Sequence, residues 1–165
     1  MRTLKKKKIS KGITKKKFYN KMNKWKRTVK KYSHDVNKLG YRSDCSGLVS
    51  YLWGLPKNIY NGGPRTRGKG KNNLIYWSRE IKKHDLRRGD ALIMGYPVYH
   101  VLVFDRWANK EKTEYYVYEM CNKMCCRDFK YHKVDYPYTR CKRPKFKTPT
   151  LIRRDTRKIN KISKK

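Results

Sequence analysis

The sequence predicts an α+β fold, with a helix that carries a cysteine at its start packed on a small antiparallel sheet that carries a histidine. Three stretches predict it. Asp44-Cys45-Ser46-Gly47-Leu48-Val49 places a helix-capping residue before a cysteine, small residues and an apolar run. Leu86-Arg87-Arg88-Gly89-Asp90-Ala91-Leu92-Ile93 reads as a turn entering a strand. Tyr99-His100-Val101-Leu102-Val103-Phe104 and residues 113–121 are apolar, β-branched and aromatic runs separated by a polar turn.

The helix is expected from Cys45 to about Trp53, with Leu48, Val49, Leu52 and Trp53 as its apolar face and Gly54 with Pro56 as its stop. A start at Cys45 sets the sulfur at a helix N-terminus, where free N–H groups and the macrodipole favour an anion. That environment lowers a thiol pKa and yields the thiolate, the nucleophilic form. The alternative is a buried structural cysteine.

His100 opens a strand that is otherwise apolar as far as Asp105, so its polarity needs a reason. Ala108-Asn109-Lys110-Glu111-Lys112 is the turn. If it centres on Lys110 and Glu111, paired residues have numbers summing to about 219–221, which sets His100 opposite residue 119, 120 or 121. Glu119 is the only carboxylate among these. Such an acid can hold the imidazole in one tautomer and stabilise imidazolium; the alternative is an ordinary strand-end carboxylate. A cysteine on a helix N-terminus with a histidine on a later strand is the arrangement of papain-like thiol hydrolases.

Asp44-Cys45-Ser46-Gly47, then Gly89-Asp90, then His100-Val101 resembles the NlpC-type cysteine peptidases, which cut cell-wall peptides in bacteria. The likeness extends through Tyr41-Arg42-Ser43, Trp53-Gly54-Leu55, Gly62-Gly63-Pro64-Arg65-Thr66, Phe104-Asp105-Arg106-Trp107, Tyr118-Glu119 and Tyr136-Pro137-Tyr138, and covers roughly residues 38–150. The family's usual Tyr-x-Trp-Gly-Gly before the cysteine is absent, leaving only Gly40-Tyr41. The resemblance implies a papain-like fold with Cys45 as nucleophile, His100 as base and a polar residue, here Glu119, on the following strand. It sets Tyr41, Asp44, Ser46 and Arg65 beside the substrate cleft. It implies hydrolysis of a peptide or peptidoglycan-like amide with no cofactor and no catalytic metal.

Charge divides the chain. Of 46 Lys+Arg against 12 Asp+Glu, residues 1–34 hold 15 with no acid, and residues 140–165 hold 12 with Asp155 alone. The expected organisation is a basic N-terminal tail with an amphipathic helix (1–34), a hydrolase domain (35–145) and a basic C-terminal tail (146–165). Like-charge blocks repel themselves and bind polyanions through phosphate contacts. Lys5, Lys6, Lys7, Lys8, Lys15, Lys16, Lys17, Arg153 and Arg154 are the candidate nucleic-acid contacts. Phe18, Met22, Trp25 and Val29 fall at helical spacing and are expected to dock that helix on the domain, since they would otherwise be exposed.

Residues 57–73 alternate glycines with Lys and Arg and read as a mobile basic loop; Gly70-Lys71-Asn72 is not a phosphate-loop motif. Residues 74–81 read as a short helix or extended segment packed through Trp77. Five cysteines leave at least one unpaired, which suits a free Cys45. Cys121, Cys125, Cys126, Cys141 and His132 are alternatively reduced thiols, a disulfide involving Cys141, or an irregular zinc set; reduced thiols are the default, because residues 1–17 lack the apolar stretch of a secretion signal. No segment reaches the roughly 20 apolar residues of a membrane span, and an intracellular or virion-associated location is expected. Two function classes follow: a cysteine hydrolase with polyanion-binding ends, or a non-enzymatic nucleic-acid-binding or virion packaging protein that reuses the fold.

Overall fold

The computed structural model describes residues 12–96, 98–122, 128–138 and 149–161. Its architecture is α+β. Six antiparallel strands, β1 (Ser78–Glu80), β2 (Ala91–Met94), β3 (His100–Trp107), β4 (Glu114–Cys121), β5 (Asp128–Asp135) and β6 (Thr150–Arg154), lie in the order β1-β6-β2-β3-β4-β5. The strands alternate apolar side chains between two cores. Ala91, Ile93, Val101, Val103 and Ile152 enter one, and Leu92, Met94, Leu102, Phe104 and Leu151 the other.

The first core is completed by two helices, α1 (Lys15–Thr28) and α2 (Cys45–Trp53). In α1 the spacing of Phe18, Met22 and Trp25 puts all three on one face, and each is fully buried, a gain of about 1.5–3 kcal/mol per side chain. Lys21 follows the same face and donates from Nζ to the carbonyls of Tyr51 and Leu52 (2.8 and 3.0 Å), near the C-terminal end of α2. These carbonyls carry the negative end of that helix's dipole. Within residues 1–34, Phe18, Met22, Trp25 and Val29 dock the amphipathic helix on the domain as expected, while its other face, including Lys15, Lys16 and Lys17, is exposed.

The C-terminal end departs from expectation. Residues 150–154, expected in a basic tail, form β6 in the interior of the sheet between β1 and β2, and Thr156–Asn160 form a short helix, α3. The apolar pair Leu151-Ile152 alternates between the two cores, and this outweighs the surrounding charge. Arg153 is buried because both Nε and Nη2 reach the Asp90 carboxylate (2.8 and 2.7 Å), and Nη2 also donates to the Asp85 carbonyl. Removal of residues 1–31 or 146–165 would therefore take out core elements.

Residues 74–81 are both things expected of them, a 3-10 turn at Leu74–Trp77 and then β1. The glycine loop is not mobile throughout. Gly62 and Gly63 have φ of +104° and +102°, and a Cβ on either would lie 2.8 Å from Arg42 N or from the Ser50 side chain. Glycine here lets the loop lie flat on α2. Among the described residues, no helix is long and apolar enough to cross a membrane.

Candidate functional site

The site begins with how α2 starts. Asp44 is its N-cap in extended backbone, and its Oδ1 accepts from Gly47 N (2.7 Å) and Ser46 Oγ (2.8 Å). Its Oδ2 accepts from Arg42 Nε (3.0 Å). Gly47 is required sterically, since a Cβ there would sit 1.8 Å from the Arg42 carbonyl oxygen. The tight turn this permits leaves Cys45 at the first helical position, buried yet lining a cleft with Tyr32, Arg65 and Tyr99. Gly54 closes the helix in the left-handed conformation, as its sequence position predicts.

The hairpin places the next two groups. Its register pairs Val103 with Tyr118 and Phe104 with Val117, numbers that sum to 221. Carried toward the start of β3, that register sets His100 and Glu119 diagonally on one face of the sheet. His100 Nε2 lies 2.7 Å from Glu119 Oε1, and Cys45 is near enough to act on the charge of the ring. The structure thus brings Cys45 close to a His100 that is paired with Glu119.

Two further groups hold the acid. His132 pairs across the sheet with Val117, and its Nε2 reaches Glu119 Oε2 (2.6 Å). The Tyr138 hydroxyl donates to Oε1 (2.6 Å). Glu119 is fully buried. Burial works to raise its pKa, but the hydrogen bonds from His100 and His132, with Tyr138 adding to them, hold the carboxyl well below the usual range. Burial likewise works to lower the pKa of His100; the neighbouring Cys45 and the hydrogen-bonded Glu119 raise it to about 10. At neutral pH the imidazole is therefore protonated.

Cys121 lies in a disulfide, so the default of reduced thiols fails for it; its bonding partner falls outside the described residues, as do Cys125, Cys126 and Cys141. The ligand atoms of His100, Glu119 and Cys121 lie within 4.8 Å of one another. A disulfide sulfur is not a thiolate ligand, and Nε2 and Oε1 are turned to each other, so the arrangement is that of a hydrogen-bonded histidine–carboxylate pair.

Tyr41 is buried and donates to the Leu55 carbonyl (2.9 Å), away from the cleft lining. Asp44, Ser46 and Arg65 do line the cleft. Lys5, Lys6, Lys7 and Lys8 lie outside the described residues. Lys15, Lys16 and Lys17 are exposed on the first turn of α1. Arg153 is not free for nucleic acid because it is committed to Asp90, and Arg154 Nη1 donates to the Trp53 carbonyl (3.0 Å).

Two residues had no role assigned from sequence. Arg42 is buried with a full set of acceptors: Asp44, Ser46 and the carbonyls of Tyr60, Gly63 and Pro64. It ties the cap of α2 to the glycine loop. Tyr32 lines the cleft, and burial together with the nearby Cys45 and Asp44 raises its pKa, so the phenol keeps its proton. Neither was visible locally, because the partners of Arg42 lie up to 22 residues away and the segment of Tyr32 reads as a linker. Comparison with protein-family models, with curated proteins and with solved structures finds no match.

Proposed function

We propose that this chain is a cysteine hydrolase of the papain-like, NlpC type that cleaves an amide bond of the kind found in cell-wall peptides. One observation carries the reading: Cys45, at a helix N-terminus, lies near enough to raise the pKa of a His100 that a buried Glu119 holds at 2.7 Å. The Cys45 thiolate attacks the carbonyl carbon and forms a C–S bond. Negative charge then moves to the carbonyl oxygen, where the Cys45 N–H at the helix start is positioned to receive it. The protonated Tyr32 phenol borders the same cleft as a second donor. His100 passes its proton to the leaving nitrogen as the C–N bond breaks, leaving a thioester. Water, deprotonated by His100, cleaves the thioester and restores the thiolate and imidazolium. Glu119 positions the ring and stabilises its charge throughout.

The test is hydrolysis of peptidoglycan fragments and of simple peptide amides by the wild-type chain and by Cys45→Ala. Release of new amine with the wild type and none with the variant is expected; release that survives Cys45→Ala overturns the reading. A polyanion-binding role is favoured by a separate observation, the exposed row Lys15, Lys16 and Lys17 on α1. It predicts binding to DNA that falls steeply with salt, with little sequence preference. It is compatible with hydrolysis and stands alone if Cys45→Ala changes nothing.

A further inference from the structure

Two grooves meet at the C-terminal end of α2, and both are lined by cations. The larger, of about 330 Å³, lies between α1 and Tyr51 and carries Lys16, Lys17, Lys21 and Lys24. The smaller, of about 30 Å³, lies beside Leu52 and Trp53 and carries Arg87, Arg88, Arg153 and Arg154. The chain passes from one to the other at Ile13 and Thr14 and again at Tyr51 and Leu52, so the two form one basic strip. Among the described residues that line it, Asp90 is the only acid, and Arg153 already neutralises it.

The spacing of α1 makes the larger groove. Lys17, Lys21 and Lys24 recur at four and then three residues, on one face of the helix, and Lys17 to Lys24 spans about 10 Å. None of the four lysines has a carboxylate partner among the described residues. Lys21 Nζ donates to the Tyr51 and Leu52 carbonyls and Arg154 Nη1 to that of Trp53, so the negative end of the α2 dipole holds both cations in place. Lys16, Lys17 and Lys24 are exposed beside them. Burial, with the like charges of Lys17 and Arg154, lowers the Lys21 pKa to about 8. The strip is short of negative charge.

We propose that this strip is a binding site for the sugar–phosphate backbone of nucleic acid, at the end of α2 opposite to Cys45. The inference rests on the polyanion reading and gives it a place; it does not depend on hydrolysis. Its shape favours a polymer of phosphates over a single anion. The cations extend along α1 and onto the turn before β2 and the end of β6 instead of converging on one point, and duplex DNA offers one charge per roughly 1.7 Å of its axis. Guanidinium forks match phosphate with two parallel hydrogen bonds, and lysines add point charges. Contacts of this kind carry no sequence information. Cys45 starts α2 and the strip adjoins its end, nine residues and about 13 Å along the axis, so nucleic acid bound here leaves the cleft open.

The experiment follows a fluorescein-labelled DNA duplex of random sequence by anisotropy, with the full chain, over a range of salt concentrations. In Lys17→Gln/Lys24→Gln the slope of log affinity against log salt should become shallower by about two, and affinity at about 0.1 M salt should fall about tenfold or more. Arg154→Gln should make the slope shallower by about one, with thermal unfolding to show that β6 is intact; if it is not, the lysine variant, which alters exposed side chains only, decides. The charge-matched control Lys110→Gln/Lys130→Gln should bind as the wild type does. A control that loses as much as the lysine variant overturns the proposal. Binding that survives the groove variants and is lost only in Lys5→Gln/Lys6→Gln/Lys7→Gln/Lys8→Gln removes the groove and keeps the polyanion reading. Poly-glutamate binding as tight as that of DNA, and equally lost in the lysine variant, overturns nucleic acid in favour of an acidic protein partner. Saturating DNA should leave the rate of Cys45 alkylation by iodoacetamide unchanged; protection of the thiol overturns the placement away from the cleft.

Discussion

Glu119 and Asp105 are both carboxylates buried in the sheet of a strongly basic chain, and they are partnered by opposite kinds of group. Asp105, at the bulge in β3, accepts from Arg88 Nε (2.6 Å), Arg106 Nη1 (3.2 Å), the Tyr131 hydroxyl (2.8 Å) and the Tyr19 hydroxyl of α1 (3.0 Å). Its cations are guanidiniums, which keep their charge at any working pH. Glu119 is held by two histidines and a phenol. Imidazole can give up and take back a proton, so charge can move through this cluster during a reaction. The Tyr19 phenol ties α1 to an Asp105 neutralised by permanent cations; on the hydrolase proposal, the titratable partners of Glu119 make a relay.

The largest expected effect breaks the relay at its centre. His100→Ala should lower hydrolysis about 10²–10⁴-fold while the fold, read by circular dichroism, survives. Glu119→Gln should cost less, about 10–100-fold, because it removes the positioning group and not the proton carrier. Asp105→Ala should do the converse. Thermal denaturation should show about 2–4 kcal/mol of lost stability, with kcat per folded molecule near the wild-type value. Equal loss of activity per folded molecule in the Asp105 and Glu119 variants would erase the distinction.

The two clusters also differ in their response to pH. Because the His100 pKa is raised to about 10 in the folded chain, its contribution to stability is complete below the ordinary histidine pKa of about 6.5 and is lost as pH rises through 10. Glu119 is shifted downward, so its contribution is present above the ordinary carboxylate range and fades as pH falls through that range toward its lowered pKa. Activity should accordingly hold from about pH 7 to about 9 and decline near 10 as the raised histidine loses its proton; an alkaline limb at about 7 would contradict the imidazolium assignment. The smallest effect is expected from His132→Gln, which keeps one donor to Glu119. A loss of only about two- to fivefold in kcat should accompany an unchanged alkaline limb, since His100 retains Glu119.

The features legible in the sequence were the local ones. The cap, start and stop of α2 are written within residues 44–56, and the hairpin register followed from the turn and a short count along each strand. The docking face of α1 was likewise legible from spacing alone. What escaped depends on contacts across the chain. In β6, Leu151-Ile152 is too short an apolar run to stand out among arginines, and Arg153 reads as surface charge until Asp90, 63 residues earlier, is placed beside it. In β5, charged residues alternate with Phe129 and Tyr131, so the position of His132 against Glu119 appears only once β4 and β5 are paired. Arg42 counted as one more cation in a basic chain, although it organises the wall of the cleft.

The position of β6 has a consequence for how the molecule comes into being. β1 has no pairing with β2 except through β6, which bridges them by matching Ser78 to Arg154 and Ala91 to Ile152. A ribosome that has emitted everything up to Cys121 has produced the cysteine, the histidine and the acid, yet not the strand that joins the sheet. Such long-range pairing comes late and slowly, and chains fold vectorially during synthesis. The sheet that carries His100 and Glu119 is therefore joined to β1 only once residue 154 has emerged.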